Sequence, residues 1–311
     1  MATTNFSSEG NQTTFKNPYF CPAELTEGKH SQLICLIVVN IFLSITAFLG
    51  NTLILIALHK ESLLHPPSKL LFRSLATTDL CVGIISEPLA VTYWISLVNE
   101  SWNICPYALV AVDLAGFMFT GVSLFTLSAI SVDRLLALLL GLRYRQVVTL
   151  KRTYAIVVVI WFVSILGSTL YLWNYVIFLW YGYIGVPLCL VTSVYSYTKI
   201  FITLHHHQNH VQDNVQEQQS QSSHLNIARY RKAVSSALWL QLTLVACYLP
   251  SGIVRPLTES RLSLNNYLAR QFTLTLVYLN SSLNPILYCW KIREVRQAVK
   301  DKIRQLFCSP N

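Results

Sequence analysis

The stretch Leu274-Thr275-Leu276-Val277-Tyr278-Leu279-Asn280-Ser281-Ser282-Leu283-Asn284-Pro285-Ile286-Leu287-Tyr288 is an apolar run broken by amides, hydroxyls and one proline. Hydrocarbon penalises unpaired polar groups and interrupted backbone, so a span of this composition must turn its polar residues toward other helices. Working outward, six earlier stretches share the character: apolar, about 20 residues or longer, each marked by one costly or distinctive residue. In order these are Asn51, Asp79, Arg134, Trp161, Pro187 and Pro250, with Pro285 in the seventh. Spans are expected near 33–58, 70–96, 107–139, 153–174, 177–204, 233–255 and 269–290. The expected fold is all-α: one seven-transmembrane-helix bundle without internal repeats, preceded by a tail at 1–32 and followed by 291–311.

Composition agrees, with 53% hydrophobic and only 12% charged residues, against about a quarter charged in soluble domains. Basic residues set the orientation. With the N-terminus outside, the inner side receives Lys60, Lys69, Arg73, Arg143, Arg145, Lys151, Arg152, Arg229, Arg231 and Lys232, and the C-terminal tail adds more. Only Lys16, Lys29, Arg255, Arg261 and Arg270 fall outside, so the positive-inside bias favours this topology. The +9 net charge follows from that bias and suits anionic lipid, which makes a nucleic-acid partner unnecessary.

Sequons agree independently. Asn5, Asn11 and Asn99 each open an Asn-x-Ser/Thr triplet on the outer side, whereas the triplet at Asn280 lies within a span. Residues 1–31 are polar and lack an apolar h-region, so the first span is expected to act as the insertion signal. A multi-pass plasma-membrane protein with an extracellular N-terminus is the expected location.

After the seventh span, Ile292, Val295, Val299, Ile303 and Leu306 recur at helical spacing opposite a basic face. That pattern predicts a short amphipathic helix on the inner leaflet over 291–307. Cys308 directly after it is a palmitoylation candidate, with a free thiol as the alternative. The polar segment 205–227, with His205, His206, His207 and His210, reads as a disordered linker more than a metal site.

Taken in order, Gly50-Asn51, Leu75-Ala76-Thr77-Thr78-Asp79, Ser131-Val132-Asp133-Arg134-Leu135, Leu142-Arg143-Tyr144, Trp161, Cys247-Tyr248-Leu249-Pro250 and the run from Asn280 to Tyr288 form a specific series. Across nearly its whole length the chain resembles a rhodopsin-like (class A) G-protein-coupled receptor. It is divergent within that class and is similar to the cluster of melanocortin, adenosine and cannabinoid receptors.

The resemblance implies roles. Asp79 is a carboxylate near mid-membrane, and the family pattern sets Asn51, Ser123, Asn280, Ser281 and Asn284 around it. It implies an allosteric sodium ion there, with no cofactor otherwise required; a protonated Asp79 in a hydrated network is the alternative. Asp133 and Arg134 stand where span three meets the cytoplasm, and Arg134 would face a heterotrimeric G protein once span six moves. Pro250 and Pro285 remove backbone hydrogen bonds and supply pivots. Tyr288 and a span-five tyrosine would hold the open state. Counting from Pro187 gives Tyr195, while the local run favours Tyr197; Tyr195 is preferred.

Departures from the pattern are informative. Spans four and five are joined by almost nothing, so the usual disulfide to a long second outer loop cannot form. Cys21 and Cys105 are the cysteines clearly on the oxidising side, and are expected to pair, with two free or intermolecular thiols as the alternative. Tyr248 replaces the tryptophan of span six and Leu135 the tyrosine after Arg134. Arg229, Tyr230 and Arg231 occupy the start of span six, so Arg134 would lack an acidic partner from that helix, and ligand-independent activity is expected.

Gly116 stands where amine receptors hold an acidic anchor, which argues against biogenic amines. Tyr278 replaces the retinal lysine of opsins. Glu87, Asp113 and Arg255 are the charges near the outer half. Two readings stand: a carboxylate pair for a cationic peptide, or an internal ion pair with Arg255 or Arg270. Gly116, Phe117, Tyr248, Arg255 and Tyr278 complete the expected ligand site, with Trp94, Trp173 and Tyr175 as further aromatic candidates. A seven-helix transporter or ion pump is the competing function, though only Asp79 is central and no inverted repeat appears. No nucleophile–base motif, zinc signature or phosphate loop supports an enzyme.

Overall fold

The computed structural model describes residues 21, 28–60, 65–214, 239, 242–258, 264–291, 296, 297, 299, 300 and 304. Among them the regular structure is helical. Seven helices follow in order: α1 His30–Lys60, α2 Pro66–Val98, α3 Cys105–Leu140, α4 Leu150–Trp173, α5 Tyr175–Asn214, α6 Leu242–Thr258 and α7 Leu264–Lys291. A short 3₁₀ turn and helix, Gly141–Arg143 and Tyr144–Val147, follow α3.

Helices α1 to α5 are long and apolar enough to cross a bilayer, whereas α6 appears among the described residues as a shorter apolar helix. Helix α7 is long but diluted by Asn265, Asn266, Arg270, Gln271, Asn280 and Asn284. The polar residues that mark this span as functional are the same ones that lower its hydropathy. They are tolerated because Gln271, Asn280, Ser281, Ser282 and Asn284 are all buried in the bundle, away from lipid.

Helix α3 is the central post, packed on α2, α4 and α5, while α1 packs along α2 and α7. Two apolar clusters fill the interior. One, toward the Arg134 end, joins Leu71, Leu75, Leu124, Leu127, Ile130, Leu244 and Leu287. The other, toward the Cys105 end, joins Leu33, Leu36, Tyr93, Trp94, Cys105, Phe119, Tyr267 and Tyr278. Large apolar side chains such as Phe42, Val159, Phe162 and Leu188 point outward, as a lipid-facing surface requires.

Helix α2 is not regular. Val82–Ser86 forms a π turn, and the α-helix beyond it begins at Glu87 with Pro88 in its first turn. Proline lacks an N–H and its ring collides with the carbonyl four residues back, so the backbone widens before it. Between α4 and α5 lies Asn174, whose Oδ1 accepts from the N–H groups of Val176 (3.0 Å) and Ile177 (3.1 Å). One capping side chain therefore starts α5 where relatives of the class use a long loop.

One sequence expectation needs correction. Residues 205–214 are not a disordered linker but continue α5 as far as Asn214. His and Gln tolerate helix, and neither Gly nor Pro interrupts the run. Of the amphipathic helix, residues 296, 297, 299, 300 and 304 are helical and Val299 is buried against the inner cluster. The rest of that segment, Cys308, the sequons at Asn5 and Asn11, and residues 229–231 lie outside the described residues.

Candidate functional site

Asp79 is fully buried at the middle of α2. Its Oδ1 accepts from the Ser123 hydroxyl of α3 (3.2 Å) and the Ser281 hydroxyl of α7 (2.9 Å), and its Oδ2 from Asn284 Nδ2 (2.8 Å). Three helices thus meet on one carboxylate. Asn51 ties α1 to the same place, donating to the Ser281 carbonyl at 3.0 Å. The amide oxygens of Asn51 and Asn280 are buried without a hydrogen-bond partner. A carboxylate, two hydroxyls and buried amide oxygens make an all-oxygen donor set that suits a hard monovalent cation. No group of three or more His, Cys, Asp or Glu with metal-holding geometry occurs among the described residues.

At the far end of α3, Arg134 Nη2 lies 3.4 Å from Asp133 Oδ2, and its guanidinium stands 5.6 Å from the Phe72 ring centroid. Asp133 is itself held by two donors, the Tyr144 hydroxyl (2.6 Å) and the Ser68 hydroxyl (2.9 Å). Tyr197 of α5 is buried and faces Ser131 and Arg134, whereas Tyr195 is 58% exposed. The preference for Tyr195 is therefore reversed. Cys189, Ser193, Ser196, Tyr197 and Ile200 are the buried positions, a helical stripe that excludes Tyr195. Tyr288 falls near the end of α7, three residues beyond Pro285.

Toward the Cys105 end a cavity of about 710 Å³ opens between α3, α5, α6 and α7. Asp113, Gly116, Phe117, Phe178, Tyr248 and Arg255 are among its lining. Asp113 Oδ1 sits 3.6 Å from Arg255 Nη2, and Arg255 also covers the Phe117 ring at 4.3 Å from its centroid. Of the two readings of these charges, the geometry is that of an internal ion pair. Arg270 Nε donates to Thr258 Oγ1 at 2.6 Å. At the cavity floor the buried Tyr248 faces Ser123, which connects this space with the Asp79 hub.

Glu87 and Tyr278 do not line this cavity, contrary to their place in the expected ligand site. Both are buried behind it, because the π turn rotates Glu87 inward and the Tyr278 hydroxyl reaches toward Gly116. Trp94 is also buried, donating to Gln271 Oε1 at 3.0 Å, and Trp173 is 91% exposed. Cys21 and Cys105 form a disulfide that ties the N-terminal segment to the first residue of α3. Asn99 is exposed in the turn after α2. Sequence reasoning missed Phe178, Gln271 and Tyr183 as interior or lining residues; the alternation of buried positions along α5 and α7 carries that signal.

The pattern describing the 7 transmembrane receptor (rhodopsin family) matches residues 50–176 and 168–288, from within α1 to within α7. The chain belongs to the rhodopsin family of seven-transmembrane receptors. It is a divergent class A G-protein-coupled receptor, a multi-pass membrane protein of a non-enzymatic class. Adenosine receptor A2a of Canis lupus familiaris is 27% identical over 309 residues, 86% of this chain and 72% of the relative. Adenosine receptor A3 of Ovis aries is 26% identical over 295 residues, 84% of this chain and 87% of the relative. Adenosine receptor A2b of Gallus gallus is 25% identical, covering 88% of this chain and 89% of the relative. Membership of this receptor family leaves the transporter or ion-pump reading without support.

Proposed function

We propose that this receptor binds a small extracellular ligand in the cavity above Tyr248 and activates a heterotrimeric G protein through Arg134. The supporting observation is the cavity itself: about 710 Å³, within the size range of small-molecule sites, with a floor that faces the Asp79 hub. A ligand that fits the open bundle better than the closed one shifts the population toward it. Helix α6 then moves outward around Pro250, Pro285 lets α7 follow, and Asp133 releases Arg134 to the G protein, with Tyr197 and Tyr288 filling the opened space. Small size replaces the cationic-peptide reading, because Asp113 already has Arg255 and Glu87 is out of reach.

Phe117, Phe178 and Tyr248 offer ring faces for a flat apolar body, and the Asp113–Arg255 pair offers a polar end. Since the relatives named above are adenosine receptors, nucleosides head the ligands to test. Sodium at Asp79, held by Ser123, Asn280, Ser281 and Asn284, would favour the closed bundle. Plasma-membrane location with an outer N-terminus, glycans at Asn5, Asn11 and Asn99, and a lipid anchor at Cys308 complete the reading. The test is a second-messenger screen of nucleosides, lipids and peptides. A hit should weaken at least tenfold in Phe117→Ala and Asp113→Ala at equal surface expression. A hit indifferent to both places the ligand elsewhere.

A further inference from the structure

Glu87 is a glutamate with no solvent exposure, and neither carboxyl oxygen has a hydrogen-bond partner among the described residues. The fold places it with care. In a regular α-helix, eight residues carry position 87 roughly 80° past the face of Asp79. The π turn at Val82–Ser86 holds one extra residue and sets the phase back by roughly 100°. Glu87 therefore lies nearly above Asp79, about 12 Å along the axis. Two neighbouring hydroxyls share its condition: Ser86 Oγ and Tyr278 Oη are buried and unpartnered. Tyr278 Oη stands 3.3 Å from where a Cβ on Gly116 would be, and Gly116 lines the cavity.

An ionised carboxylate without counter-ion or donor in such a place costs far more than protonating it. We propose that Glu87 is a proton-binding site, hydrated together with Ser86 and Tyr278, whose occupancy is linked to the charge on Asp79. The proton adds to one carboxylate oxygen and gives a neutral acid that both donates to and accepts from buried water. The groups facing it are Asp79 below on α2 and Tyr278 from α7, with Asp113 of α3 and Arg255 of α6 beyond Tyr278. Helix α1 contributes only Cys35 as an ionisable group between His30 and His59. At about 12 Å and an effective dielectric near 20, a charge on Asp79 changes proton affinity at Glu87 about tenfold. By linkage, a cation on Asp79 weakens the proton's hold on Glu87, and the proton weakens the cation's hold equally.

Infrared spectroscopy of the purified, lipid-reconstituted receptor tests this without any ligand or G protein. With carbon-13 glutamate the wild type should show an isotope-shifted carbonyl band of a protonated glutamic acid near neutral pH, absent in Glu87→Gln. Glu100, the other glutamate among the described residues, is exposed in the turn after α2. In Asp79→Asn the midpoint for losing the band should fall by about one pH unit, the tenfold coupling above. Should Glu87→Gln fail to fold, the isotope shift in the wild type still assigns the band to a glutamate. No protonated-glutamate band near neutral pH overturns the proposal. An unmoved midpoint in Asp79→Asn overturns the coupling.

Discussion

Asp79 accepts hydrogen bonds from α3 and α7 at once, so its removal leaves Ser123, Ser281 and Asn284 facing an empty place. Buried donors left unpaired cost about 1–3 kcal/mol each, partly relieved because hydroxyls rotate to other acceptors. Asp79→Ala should therefore lower stability by about 2–4 kcal/mol, read as a lower melting temperature in detergent, and should abolish any sodium dependence of that temperature. An unchanged melting curve would mean that water already fills the site. At the other end, Tyr144 holds Asp133, which in turn holds Arg134. Tyr144→Phe deletes a bond to a charged acceptor worth about 1.5–3 kcal/mol, and basal second-messenger output should rise several-fold at equal expression. No rise would show that Asp133 restrains Arg134 unaided. The motif residues around Asp79 were legible in the sequence because each is costly in hydrocarbon. Tyr197 was legible only through the period of α5, which counting from Pro187 overrode. The burial of Glu87 was not legible, since a π turn leaves no trace in sequence apart from Pro88.

Helix contacts show why some positions must stay small. A Cβ on Gly50 of α1 would come within 2.9 Å of the Pro285 ring of α7. The ring is rigid and sits at the kink, so neither helix can yield cheaply. Gly50→Ala should cost about 1–3 kcal/mol through overpacking and separate α1 from α7. Gly252 of α6 is the internal control: its nearest neighbour would be Val186 Cγ1 at 4.0 Å. There alanine should be neutral or stabilising by up to about 1 kcal/mol, since glycine is a poor helix former. Thermal unfolding of the two variants, measured side by side, checks both signs. Spans one to five were visible in the sequence as length and apolarity, and the structure adds only a few residues to most ends. Helix α5 runs further than expected, because polar residues that rule out a buried span do not rule out a solvated helix.

Over the whole molecule, one polar column joins the cavity, Tyr248, Ser123 and Asp79, with the Asp133–Arg134 pair at the far end of α3. Family and the Cys21–Cys105 link could be anticipated from motif order and from the few cysteines outside the spans. Ligand chemistry could not, because whether Asp113 faces a ligand or Arg255 depends on the relative rotation of α3 and α6. The disulfide closes a separation of 84 residues, but α1 and α2 are already anchored in the bilayer. Cys21→Ser should therefore cost well below the roughly 4–5 kcal/mol of a free loop that long, a small drop in melting temperature with ligand binding retained; a collapse in folding would contradict that. The most direct measurement is guanine-nucleotide exchange on a purified heterotrimeric G protein, catalysed by the reconstituted receptor and by its Arg134→Leu variant. Exchange should exceed the receptor-free rate, rise further with a ligand found in the screen, and return to that baseline in Arg134→Leu. Exchange no faster than without receptor across the G-protein classes, or untouched by Arg134→Leu, would rule out coupling through Arg134.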